Sequence, residues 1–331
     1  MTAKSPFKKP ALPSTRQRRA AAKEQAEKSL EFMGPIDLDG HRLNDYATKA
    51  ARRMQRAGED REQFCITAAE LVVAECVRFE SDSPQAQEFF QKPAPGTVAS
   101  WSYSARLFSV ADALFLLRKC EGFDVLCEKA RNSDLKSTFA ELYAARVFFS
   151  RDYAVRFRLP FGIKRYDFDF TATRNFRSIS VEVTALDGAR YTESRVMRAL
   201  KLKRDQVSEG VPSVVFVLIP PEWFSQDGLD AELRRQADRF FYGFGEYPGT
   251  DIVNLVVFMN EHYQDFGGRG RLTAHVNLCT NLTARHPADD LLPLFEPGNA
   301  SEEEEREFLA STEAEKSEFF RWAVKIWNEA K

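Results

Sequence analysis

The stretch YDFDFTATRNFRSISVEVTAL, residues 166–186, carries acidic residues where β-strands usually carry apolar ones. In its first half aromatic residues alternate with Asp167 and Asp169, and in its second half apolar residues alternate with polar ones that include Glu182 and Thr184. Because strand side chains point to opposite faces with a period of two, each half predicts a strand with one polar face. Carboxylates on neighbouring strands repel each other unless a proton or a metal ion intervenes. The stretch therefore predicts a functional site as well as two strands.

The pattern around this stretch predicts an α/β fold. Short connections between three strands favour an antiparallel meander, and a fourth, continuously apolar strand should be buried on both faces. The predicted elements are helices at 133–150, 193–208 and 229–242, and strands at 153–159, 166–173, 179–185, 214–219, 252–259 and 272–279. The order helix, three strands, helix, strand predicts a three-layer core around a central mixed sheet, preceded by a helical region.

The composition is that of an ordinary soluble protein. The chain has 331 residues, a formal net charge of -2 and a hydrophobic fraction of 44%, so any affinity for nucleic acid must come from local patches. It contains no run of 18 apolar residues, and we expect a cytoplasmic protein without a membrane partner. The five cysteines show no CxxC spacing, which predicts reduced core thiols instead of zinc ligands or disulfides.

Four segments are distinguished along the chain. Residues 1–33 form a basic tail, expected to be disordered, that either binds phosphates or only aids solubility. Residues 34–132 read as a helical region, with a loop at 92–104, that scaffolds the core or selects a partner, including a second copy of the chain. The α/β core takes residues 133–290. Residues 291–331 carry an acidic linker and a helix whose aromatic side chains should dock on the body.

The acidic row suits a hard divalent cation. Magnesium and manganese prefer oxygen ligands, and a bound ion of this kind activates water and stabilises charge on a phosphodiester. Asp167 and Glu182 are the preferred ligands, with Asp169 on the same face as a near equivalent. Glu141 is a further candidate, because it lies inside a helix that is apolar around most of its circumference. The alternative is an exposed polar sheet face, which helices on both faces of the sheet would disfavour.

The order of these residues resembles the PD-(D/E)XK nuclease superfamily. Glu141 on a helix, Asp167 at the head of the second strand and the sequence Glu182-Val183-Thr184 in the third follow that family's arrangement, and residues 140–157 resemble its first helix and strand. The likeness covers about a quarter of the chain. It implies a restriction-endonuclease-like core in which the aspartate and the glutamate bind magnesium, and in which the expected activity is hydrolysis of DNA.

The chain departs from the family pattern at two positions. Tyr166 stands in place of a proline that is not a ligand, and Thr184 stands in place of the lysine that helps to activate water. A neutral hydroxyl cannot supply that positive charge. Lys203 offers a substitute, because it falls on the apolar face of the helix at 193–208 and so points toward the sheet; a lysine at the helix edge is the alternative.

Further basic residues are candidates for phosphate contacts, with solvated helix charge and a mobile hairpin loop as the alternatives. They are Arg195, Arg198 and Lys201 on the helix, and Arg269 and Arg271 in the GGRGR loop at 267–271. The leading hypothesis is a magnesium- or manganese-dependent nuclease with Asp167, Glu182, Glu141, Lys203 and Thr184 at its active site. The alternative, favoured by the missing lysine, is a catalytically inactive nuclease-like module that binds nucleic acid or a protein partner.

Overall fold

The computed structural model describes residues 38, 40–77, 98–132, 135–158, 168–220, 222–223, 226–265, 270–286, 291 and 317–330. These residues form eight α-helices and six β-strands. The helices are α1 His41–Arg56, α2 Arg61–Val77, α3 Val98–Leu117, α4 Phe123–Asn132, α5 Leu135–Phe149, α6 Glu193–Arg204, α7 Leu229–Tyr242 and α8 Glu318–Glu329. The strands are β1 Ala154–Phe157, β2 Phe170–Arg174, β3 Arg177–Ala185, β4 Ser213–Leu218, β5 Leu255–Asp265 and β6 Gly270–Thr280.

The strands form one open mixed sheet in the order β1-β2-β3-β4-β5-β6. The first three strands are an antiparallel meander, as their short connections predict. β3, β4 and β5 are parallel and are linked by α6 and α7, and β6 returns antiparallel to β5 as a hairpin. The change from antiparallel to parallel pairing occurs at β3, which is the strand that carries Glu182.

Helices cover both faces of the sheet, and β4 shows why. Its side chains are apolar at every position from Val214 to Leu218, so both of its faces must be buried. Val214 and Phe216 join one core with α1 to α5 and α8, whereas Val215 and Val217 join a second core with α6 and α7. The resulting arrangement is a layer of helices, the sheet, and a second layer of helices.

The C-terminal helix docks on the N-terminal helices. Ser317 caps α8 by accepting a hydrogen bond from the backbone N–H of Phe320 at 3.1 Å. The Trp327 ring lies 5.3 Å from that of Phe64, and Trp322 Nε1 donates to Asn44 at 2.8 Å. The prediction that the C-terminal aromatic residues dock on the body is confirmed.

Several sequence predictions can be compared directly with these elements. The α/β class and the mixed sheet are confirmed, and all five cysteines are free thiols. The predicted loop at 92–104 is wrong from Val98 onward, because α3 begins there. None of the described helices combines the length and apolar character that crossing a membrane requires. The basic tail at 1–33 and the acidic run at 302–305 lie outside the described residues.

Candidate active site

The site lies where β2 begins beside the second half of β3. Phe170 pairs with Val181, so Asp169, one residue before β2, lies opposite Glu182. The Asp169 N–H donates both to the carbonyl of Val181 and to Glu182 Oε2, at 3.1 Å in each case. Pairing across the two strands therefore brings two carboxylates together at the start of β2.

The Asp169 carboxylate replaces the regular ladder at this point. Its Oδ2 accepts a hydrogen bond from the backbone N–H of Val183 at 2.8 Å, and its Oδ1 accepts one from Lys129 Nζ at 2.8 Å. A buried strand N–H without a partner would be costly. Asp169 thus has a structural contact on one oxygen and a charged contact on the other.

Lys129, on α4, connects Asp169 to the helix that precedes the sheet. Its Nζ also donates to Glu141 Oε2 at 2.9 Å, so the ammonium lies between two carboxylates. The sequence reasoning missed this residue, because it assigned no chemistry to the helical region and because Lys129 and Asp169 are 40 positions apart. The one available signal was Lys129's position close before the helix that carries Glu141.

Lys203 reaches the same cluster from the other face of the sheet. Its neighbours on the inner side of α6, Val196 and Leu200, are fully buried, and its Nζ donates to Glu182 Oε1. The predicted apolar face of this helix is confirmed, and the predicted direction of Lys203 agrees with its contact. Glu182 therefore accepts hydrogen bonds on both oxygens, one from Lys203 and one from the Asp169 backbone.

The five side chains form a buried charge cluster, here called the acid–lysine cluster: Lys129, Glu141, Asp169, Glu182 and Lys203. Glu182 is 0% exposed, and the exposed fractions of Glu141 and Asp169 are 7% and 8%. Water screens charges little at this depth. The protonation of each of the three carboxyl groups and two ammonium groups therefore depends strongly on the charges of the others.

Burial and neighbouring charges shift the pKa values of the cluster in different directions. Burial, and next the nearby Asp169, raises the pKa of Glu141 to about 8 and raises that of Glu182 well above its usual value. Burial also acts against ionisation of Asp169, but Lys129 and Lys203 outweigh it and hold the pKa of that carboxyl below its usual value. Glu182 and Asp169 overcome the burial of Lys203 and raise its pKa, so that its ammonium stays charged.

The remaining predicted site residues lie apart from the acid–lysine cluster or outside the described part of the chain. Half-buried Thr184 lies two residues after Glu182 on β3, and within the described ranges it makes no hydrogen bond to the cluster. Asp167 and Arg269 are outside the described residues, as is the side chain of Arg271. The other predicted phosphate contacts are on α6: Arg195 donates to the Asp187 carbonyl, Arg198 is exposed, and Lys201 lies over the Tyr247 ring at 4.3 Å.

The carboxylate oxygens of the acid–lysine cluster suit a hard cation, but lysine ammonium groups already contact some of these oxygens. Carboxylate oxygens are the ligands that magnesium and manganese prefer. Within the described ranges, no group of three or more His, Cys, Asp or Glu side chains is arranged to hold a metal ion. Lys129 itself lies between Glu141 and Asp169, in the position that a cation shared by these two acids would take. Asp169 and Glu182 lie opposite each other on neighbouring strands, and each has a lysine ammonium on one of its carboxylate oxygens.

Comparison with known proteins gives no relative from which a role could be transferred. No family model matches this chain. Searches of curated proteins and of solved structures found no match either. The function must therefore be argued from the acid–lysine cluster alone.

Proposed function

We propose that this chain is a metal-dependent nuclease that hydrolyses phosphodiester bonds, with DNA as the expected substrate, at the acid–lysine cluster. The observation that carries the proposal is the contact of the Lys203 ammonium with buried Glu182, opposite Asp169 on the adjacent strand. This contact supplies a positive charge next to the glutamate although Thr184 occupies the motif position. The restriction-endonuclease-like core and the PD-(D/E)XK relationship belong to the same proposal.

Asp169 and Glu182 would hold a magnesium or manganese ion through their carboxylate oxygens. Such an ion, when bound, lowers the pKa of a coordinated water and offsets charge on the phosphate. Asp169 is held in place for this role by the Val183 N–H, which donates to its Oδ2 at 2.8 Å, while its Oδ1 contacts the Lys129 ammonium. Asp167 stays a candidate ligand from the sequence, since it lies outside the described residues.

Lys203 would orient water or phosphate oxygen in this site. Because its pKa is raised by Glu182 and Asp169 against the effect of burial, the side chain stays an ammonium and donates hydrogen bonds. It therefore acts as a positioning and charge-stabilising group and does not serve as a general base. Glu141 would have the further role of fixing Lys129 near Asp169.

The test is a cleavage assay on linear, circular, single-stranded and branched DNA and on RNA, with magnesium or manganese. We expect the wild type to cut at least one substrate, and Glu182→Gln and Asp169→Asn to lower the rate by about a hundredfold or more. Lys203→Met should reduce the rate as well, whereas Lys325→Met, in an exposed pair with Glu329 on α8, should not. A wild type and a Glu182→Gln variant that are equally active, or equally inert, would falsify the catalytic proposal.

A catalytically inactive nuclease-like module is the second candidate, and one observation favours it. Lys129 and Lys203 already partner all three carboxylates, so that the cluster is electrostatically satisfied without any metal. Calorimetric titration with manganese separates the two candidates. Heat of binding that disappears in Asp169→Asn supports the enzyme, whereas a titration without heat, together with no cleavage, supports the inactive module.

A further inference from the structure

The hairpin that joins β2 to β3 ends in an unusual turn, here called the hairpin tip and comprising residues 174–177. Arg174 pairs with Arg177, which leaves Asn175 and Phe176 as a two-residue loop with φ angles of 50° and 62°. Tight hairpins of this kind need positive φ at both loop positions, and Asn followed by Gly is the usual solution. Asn175 meets that preference. Phe176 occupies the position where glycine would be relaxed.

Packing within the described fold does not compensate for the conformation of Phe176. Its side chain is 106% exposed, so that the ring buries no apolar surface. A bulky residue with positive φ is an outlier, and strain of this kind is found at sites that act on something else. A large aromatic ring at a strained and fully exposed position therefore indicates a contact with a molecule outside this chain.

The charges of the hairpin tip indicate what that molecule is. Arg174 and Arg177 form the last pair of the ladder, so two basic side chains lie at this end of the hairpin. The Arg174 guanidinium is exposed and lies 5.6 Å from the Tyr153 ring. Arg151, two residues before Tyr153, is exposed at the same end of the sheet. Exposed Arg151 and Arg174 near an exposed aromatic ring suit a polyanion, and a nucleic-acid backbone is a polyanion that also carries flat apolar bases.

We propose that the hairpin tip binds an unpaired nucleic-acid base, stacked on Phe176, while arginines of the tip contact the flanking phosphates. An unpaired base is favoured over a duplex because a single ring gains by stacking on an accessible base face, whereas opening a duplex step costs free energy. The inference rests on the proposed nuclease function and specifies its substrate as single-stranded or carrying a single-stranded segment. Arg177 is five residues from Glu182 along β3, about 17 Å at ~3.3 Å per residue, or roughly five stacked nucleotides.

The experiment measures binding of the full-length chain to a fluorescently labelled single strand and to the blunt duplex of the same sequence. Fluorescence anisotropy in a buffer with a chelator excludes metal-dependent cleavage. Phe176→Ala and Phe176→Gly should weaken single-strand binding by about 5- to 150-fold, and Phe176→Tyr should retain it. Leu202→Ala is the matched control, because Leu202 is another exposed apolar residue, 59% exposed, on α6. Its affinity should stay within about twofold of the wild type.

The glycine variant separates loss of binding from loss of folding. Glycine relaxes the positive φ at this position, so Phe176→Gly should be at least as stable as the wild type while binding more weakly. Arg174→Gln should reduce the slope of log affinity against log salt by about 0.7.

Three outcomes overturn the proposal: Phe176 variants that bind the single strand as the wild type does, equal losses on single strand and duplex, or no binding of either by the wild type. Because no metal is present, the result is independent of the cleavage test. A protein that stacks bases through Phe176 but cuts nothing would refute the nuclease and not the binding site.

Discussion

Lys203→Met is expected to destabilise the fold by about 3–5 kcal/mol near neutral pH, the usual cost of removing one partner from a buried ion pair. The lysine side chain is 18% exposed and that of Glu182 is 0% exposed, so that solvent screens the pair little. Without Lys203, Glu182 keeps one donor, the Asp169 N–H at 3.1 Å. Urea denaturation followed by the fluorescence of the four tryptophans gives the free energy of unfolding.

The same loss should shrink at low pH. Without Lys203, burial raises the pKa of Glu182 further above that of the unfolded chain, and a raised folded pKa favours the native state below that value. The stability difference from the wild type should therefore decrease as the pH falls from about 8 toward about 5, across the range of a raised carboxyl pKa. The double variant Glu182→Gln with Lys203→Met, which contains neither charge, should recover about 2–3 kcal/mol.

Lys201→Met provides the comparison within the same helix. Lys201 lies over the Tyr247 ring and contacts no member of the acid–lysine cluster, so its loss should cost about 1 kcal/mol or less. If Lys203→Met costs no more than Lys201→Met, or if its cost is unchanged in the Glu182→Gln background, the ion pair is not what stabilises this part of the fold.

Other expectations concern single positions. Burial and Asp169 raise the pKa of Glu141 to about 8. Its contribution to stability should therefore be complete below the pKa of the unfolded chain and be lost as the pH rises through about 8. Glu141→Gln should remove that decline in urea denaturation. Trp327→Ala, which removes a buried ring in contact with Phe64, should lower the free energy of unfolding by about 3–5 kcal/mol in the same assay. At Gly249 a Cβ would lie 2.4 and 2.8 Å from two backbone atoms, so Gly249→Ala should lower the melting temperature clearly more than Gly228→Ala, where a Cβ has open space.

The parts of the site that follow from one element's own periodicity could be predicted from the sequence. A period of two places Asp169 on the acidic face of its strand, and a period of 3.6 places Lys203 on the inner face of α6, where its Nζ contacts Glu182. The same periodicity cannot choose between Asp167 and Asp169, because both satisfy it equally. Only the register, with Phe170 opposite Val181, puts Asp169 beside Glu182.

The parts that depend on the arrangement of separate elements could not be predicted. Lys129 enters the site because α4 approaches the start of β2, and nothing in the local pattern of α4 distinguishes this lysine from a solvated one. The start of α3 at Val98 was missed for a different reason. Pro95 and Gly96 predict a loop from the sequence, but a loop that continues to residue 104 includes residues that belong to α3.

The site lysine lies on a helix and not on a strand, and this changes which interactions fix the position of its ammonium group. A lysine at the position of Thr184 would be two residues from Glu182, about 6.6 Å along β3, and the strand backbone would fix its distance from the carboxylate. Lys203 instead depends on how α6 packs on the sheet, through buried residues such as Val196 and Leu200. Its ammonium reaches Glu182 only because that packing sets the height and rotation of the helix. Although Thr184 carries no charge, Glu182 therefore has a positive neighbour in Lys203. The hydrophobic core between α6 and the sheet decides where that charge lies.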